Sequence, residues 1–113
     1  MTVLLIDDDD DALVLLQMML RRKGVVTEIA HSLLEARSVL ADHADIGVVV
    51  TDLELGDGED GLTLHQETMN RVSRFVVLTG RSEVAAPSGV VVLQKPVELA
   101  PLLAAIGHDV PSS

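Results

Sequence analysis

Five polar residues stand directly behind runs of aliphatic residues. VLLI at 3–6 leads into Asp7 and Asp8, IGVVVT at 46–51 into Asp52, FVVL at 75–78 into Thr79, and VVVLQ at 90–94 into Lys95, with Pro96 next. Three carboxylates, a hydroxyl and an ammonium are an inventory that can bind a divalent cation and hold a phosphoryl group beside it. Short runs rich in Val and Ile read as buried strands of a parallel sheet. In an open α/β sheet the site forms at the carboxyl ends of such strands. The spacing therefore brings all five residues to one end of one sheet.

Taken singly, each residue has a plainer role. An Asp after a strand is most often a helix cap or turn residue, Thr79 before Gly80 a turn former, and Lys95 a surface cation. The run Asp7–Asp11 reads as a solvated acidic stretch, and acids also suit the positive N-terminus of a helix. That accounts for Asp9, Asp10 and Asp11. It leaves unexplained why two acids directly follow a buried strand. The joint pattern is what points to phosphate chemistry.

The elements that must position these groups follow from periodicity. Strands are expected over 2–6, 25–30, 46–51, 75–78 and 90–93, and helices over 9–23, 33–41, 62–71 and 98–106. Leu13, Leu16 and Leu20 give the first helix its apolar face, and Gly24 stands at its stop position. Ser32 and Glu35 have capping-box spacing before the second helix. LGDGEDG at 55–61 reads as a loop. Only ten residues, 80–89, separate Thr79 from Val90, which holds at most a turn or two of helix, around 82–86. This alternation implies a doubly wound, five-stranded parallel sheet with a fourth helix that is stunted or absent.

A chain of 113 residues with 48% hydrophobic content is sized for one domain with one core. The domain is expected over 1–108, with a frayed tail at 109–113. A net charge of −10 argues against nucleic-acid binding. Cysteine is absent, so thiol chemistry is excluded. No apolar run approaches a membrane span and no basic n-region precedes the first strand, so a cytoplasmic location is expected. His31, His43, His65 and His108 share no metal-ligand spacing and read as surface or boundary residues, none a phosphodonor.

With the residues placed, the chain resembles the receiver domain of two-component response regulators, stand-alone or attached to a hybrid histidine kinase. The resemblance rests on VLLIDD, on VVVTDLEL followed by DGEDGL, on VVLTG and on VLQKP, and runs over nearly the whole chain. It implies a flavodoxin-like fold with strand order 2-1-3-4-5. It makes Asp52 the phosphoacceptor, and Asp7 and Asp8 the acidic pair that binds Mg²⁺ with Asp52 and the backbone carbonyl of Glu54. Thr79 would bond a phosphoryl oxygen, and Lys95 would pair with Asp52 or its phosphate, before a typically cis proline bond. The implied partner is a histidine kinase or histidine phosphotransfer protein. Such a domain is a phosphoacceptor rather than an enzyme.

The sequence departs from the family in three places. The interval between Thr79 and Lys95 is short. Val92 stands where the family usually has Tyr or Phe, and Phe75 lies at the wrong end of another strand to replace it. Glu54 and Arg81 hold opposite charges beside the site and are expected to form an ion pair over it. Two other readings compete. A haloacid dehalogenase-type phosphatase would need a further acidic motif after the lysine and has no use for Asp52. A receiver-fold interaction module without phosphate regulation would not need the complete acid set.

Overall fold

The computed structural model describes residues 2–56 and 58–107. His108 and the tail expected at 109–113 lie outside the described residues. In chain order the elements are β1 (Thr2–Ile6), α1 (Asp10–Arg21), β2 (Val26–Ala30), α2 (Leu33–Asp42), β3 (Ile46–Asp52), β4 (Glu54–Leu55), β5 (Glu59–Asp60), α3 (Leu62–Thr68), β6 (Arg74–Thr79), β7 (Val90–Gln94) and α4 (Leu99–Ala105). Five strands form a parallel sheet in the order β2-β1-β3-β6-β7. Counting sheet strands alone, this is the expected 2-1-3-4-5.

The aliphatic runs lie in the sheet because they are covered on both faces. Leu4, Ile6, Val49 and Val77 pack with Leu33, Leu40 and Leu64 of α2 and α3. Val3, Leu5, Val50 and Val76 pack on the opposite face with Leu13, Leu20, Leu102 and Leu103 of α1 and α4. The order reverses between β1 and β3, the switch point where a crevice opens at the strand ends.

Capping fixes the helix starts. Asp9 caps α1, its carboxylate accepting from the N–H groups of Asp11 and Ala12 at 3.0 and 3.4 Å. Ser32 caps α2, accepting from Glu35 N–H at 3.1 Å. The carboxylate of Glu35 reaches back to the N–H of His31 rather than that of Ser32. Helix α3 is shorter than its apolar pattern suggests. The Thr68 hydroxyl bonds back to the Leu64 carbonyl at 2.9 Å, and the Thr68 carbonyl takes the N–H groups of Arg71 and Val72 into a turn.

The stretch read as a loop at 55–61 holds the small antiparallel hairpin β4-β5. Residues 80–89 carry no helix at all, not even a stunted one. They must return from the end of β6 to the start of β7, roughly 17 Å for a strand of this length. Ten helical residues would rise about 15 Å and leave nothing for the two turns, whereas an extended path reaches easily. Val84 packs this segment against the α2–α3 side of the core.

Charge is segregated along the strands. Asp7–Asp11, Asp52, Glu54, Glu59 and Asp60 lie at the C-terminal ends and outnumber Arg81 and Lys95 there, whereas Arg21, Arg22, Lys23, Arg71 and Arg74 lie at or just before strand starts, where they outnumber Asp42 and Asp45.

Candidate functional site

Asp7 leaves β1 with its N–H bonded to the Ala30 carbonyl at 3.2 Å. Its side chain is buried, and one carboxylate oxygen accepts from Asp9 N–H at 2.9 Å. Asp8, next in the chain, is exposed, and Asp52 closes β3 half-buried. One carboxylate oxygen from each of Asp7, Asp8 and Asp52 lies within 4.8 Å of the others. Burial chiefly holds the Asp7 carboxyl above its ordinary value. The Asp9 N–H pulls it down, the charge of Asp52 pushes it up, Lys95 lowers it and Asp8 raises it.

Lys95 follows β7 and places Nζ 3.1 Å from Asp52 Oδ1. Its backbone N–H bonds the Thr79 carbonyl at 2.7 Å, and the Lys95–Pro96 peptide bond is cis. Thr79 ends β6, buried, and its Oγ1 accepts from Arg81 N–H at 3.1 Å. That contact uses a lone pair and leaves the hydroxyl proton for another acceptor.

Asp52, Glu54, Thr79, Gly80, Arg81 and Lys95 line a cavity of about 250 Å³. Glu54 and Arg81 form the expected ion pair at its mouth, each side chain 64% exposed. A larger cavity, about 740 Å³, lies at the other end of the sheet beside Val3, Arg74 and Gly89, away from these groups.

The residues expected from the sequence thus converge: the three acids, Thr79, Lys95 and the Glu54–Arg81 pair. The donor set fits Mg²⁺, because hard carboxylate oxygens cluster with one ammonium nearby, and their mutual repulsion favours a dication. Two supporting residues, Thr51 in VVVTDLEL and Gly61 in DGEDGL, lie inside the quoted motifs with no role assigned to them there. Gly61 presses on the backbone of Asp52: a Cβ there would lie 2.4 Å from the Asp52 carbonyl oxygen and 2.7 Å from Thr51 Oγ1. Thr51 in turn donates its hydroxyl to that carbonyl at 2.9 Å. A glycine inside a turn-rich loop gives no sign of this approach.

One histidine departs from expectation. His65 is not a surface residue: it is buried, edge-on to Phe75 with ring centroids 5.1 Å apart. His31 is half-buried and bridges Asp10 of α1 at 2.9 Å and Glu35 of α2 at 3.1 Å. Val92 lies in β7 opposite Val77, and Phe75 pairs with Val90 at the far end of the sheet.

Comparison with known proteins bears on the family and the fold. The family model described as response regulator receiver domain matches residues 3–107. Among curated proteins no sequence match is found. A two-component response regulator from Clostridium difficile is 26% identical, with TM-score 0.77, covering 91% of this chain and 89% of that one. A response regulator from Burkholderia pseudomallei, solved with a phosphorylated aspartic acid, calcium ion and citrate, is also 26% identical, with TM-score 0.79, covering 93% of this chain and 65% of that one. The receiver domain of the hybrid histidine kinase CckA shares the fold at 21% identity and TM-score 0.79, over 95% of this chain and 96% of that one.

Proposed function

Because this chain belongs to the response regulator receiver domain family, we propose that it is a cytoplasmic phosphoacceptor that takes a phosphoryl group from a phosphohistidine onto Asp52. The observation that carries the reading is Lys95 Nζ, 3.1 Å from Asp52 Oδ1, beside the acids Asp7 and Asp8. The partners are a histidine kinase or a histidine phosphotransfer protein, whether the domain works alone or within a hybrid kinase.

An oxygen of Asp52 attacks phosphorus, the P–N bond to the donor histidine breaks, and its electron pair returns to the imidazole. Lys95 holds the carboxylate in place and offsets charge on the phosphoryl oxygens. The Thr79 hydroxyl donates to one of those oxygens. Asp7, Asp8, Asp52 and the backbone carbonyl of Glu54 would hold Mg²⁺, which supplies neutralisation of phosphoryl charge when bound. The donor set and the calcium-bound, phosphorylated Burkholderia relative support that assignment.

The test is incubation with acetyl phosphate and Mg²⁺ followed by intact mass. One added phosphate is expected, and none in Asp52→Asn. Absence of labelling in the wild type would favour the interaction-module reading, and turnover of a phosphoester would favour the phosphatase.

A further inference from the structure

We propose that Arg81 changes partner on phosphorylation, leaving Glu54 for the phosphoryl group on Asp52, and that this exchange moves residues 80–89. The inference rests on the phosphoacceptor reading and adds the group that reads the phosphate out.

Glu54 and Arg81 line the same cavity as Asp52, Thr79 and Lys95. Their pair is largely solvent-exposed, and such a contact biases an equilibrium by no more than about fivefold. Phosphorylation replaces the single charge of Asp52 with a group carrying about two. Lys95 is already committed to Asp52. Among the described residues, Arg81 is the other cation lining this cavity. A guanidinium can bond two oxygens of either a carboxylate or a phosphoryl group, and the phosphoryl group offers it about twice the charge.

The backbone makes the exchange consequential. Arg81 N–H holds Thr79 Oγ1, so the arginine and the hydroxyl that line this cavity are two residues apart on one tether. Beyond them, residues 80–89 have no helix to resist displacement. Val92 has no ring to swing, and its χ1 is stiff.

The probe is beryllium trifluoride, a phosphoryl mimic, added with Mg²⁺ to the full chain. By NMR the Arg81 Nε–Hε signal and the Glu54 side-chain carboxyl carbon should both shift, together with the amides of 80–89. Arg81→Gln should weaken binding of the mimic about tenfold, as loss of a hydrogen bond to a charged group does. Glu54→Gln should strengthen it by up to about fivefold, because Arg81 no longer has a pair to break. A static tie across the mouth would make the two variants act alike, and that result overturns the exchange. So would shifts at Thr79 and Lys95 with Arg81 and Glu54 unmoved. If no site resonance moves and acetyl phosphate adds no mass, the phosphoacceptor reading fails, and the exchange with it.

Discussion

Lys95 reaches over β6 to join the ends of β7 and β3, its Nζ 3.1 Å from Asp52 Oδ1. With one ammonium serving the acceptor, its removal should be felt in rate. Lys95→Ala is expected to slow labelling by acetyl phosphate about 10²-fold, the usual effect of deleting one charge-stabilising group. Time-resolved intact mass checks this; a wild-type labelling rate would refute the role of Lys95.

Like charges among Asp7, Asp8 and Asp52 should make the protein respond to Mg²⁺. Thermal stability is expected to rise with millimolar Mg²⁺, by about 2.7 kcal/mol at a hundredfold excess over Kd. Asp8→Ala should remain folded, lose that response and take up no phosphate. Normal labelling of Asp8→Ala would remove it from the metal site.

Gly61 has no room for a methyl group, since its Cβ would meet the Asp52 carbonyl and Thr51. Gly61→Ala is expected to cost about 1–3 kcal/mol, in the range of an overpacked core. It should also slow phosphoryl uptake by displacing the acceptor. A melting curve coincident with wild type would show that the loop absorbs the methyl without strain.

His31 ties α1 to α2 through Asp10 and Glu35, and both contacts raise its pKa above 6.5, the Asp10 hydrogen bond most. A base held more tightly in the folded state stabilises fully below its unfolded pKa. That contribution is lost as pH rises through the raised folded value. Wild type should therefore exceed His31→Gln in denaturant midpoint near pH 6, and the gap should close on the alkaline side. The groups are exposed, so added salt should shrink it. A gap independent of pH would mean that packing, not charge, makes the contact.

The sheet and the site were legible because each chemical residue follows a run that has to be buried. Asp52 and Thr79 could be placed from the apolar residues before them. Other features depended on distant residues. The hairpin β4-β5 pairs only two residues per strand, too few for alternation to show. His65 looks polar in the sequence, yet it turns inward, where its ring meets Phe75 edge-on. The missing helix at 80–89 was half visible: the interval was plainly short, and the distance it must span rules out a helix over its whole length but not a single turn. Gly61 carries its constraint through the Asp52 carbonyl, which only the folded chain brings near.

The separation of charge along the strands gives the molecule a direction. Acids outnumber Arg81 and Lys95 at the end that holds Asp52, and Arg21, Arg22, Lys23, Arg71 and Arg74 outnumber Asp42 and Asp45 at the other. A positively charged partner approaching through solution turns such a particle before touching it, acidic end foremost. Encounters are then pre-aimed at the end that holds Asp52, and fewer collisions are wasted on the back of the sheet. The aim holds only over the Debye length, about 8 Å at physiological salt. Ionic strength should accordingly govern how often a donor finds Asp52, while leaving the chemistry at that residue untouched.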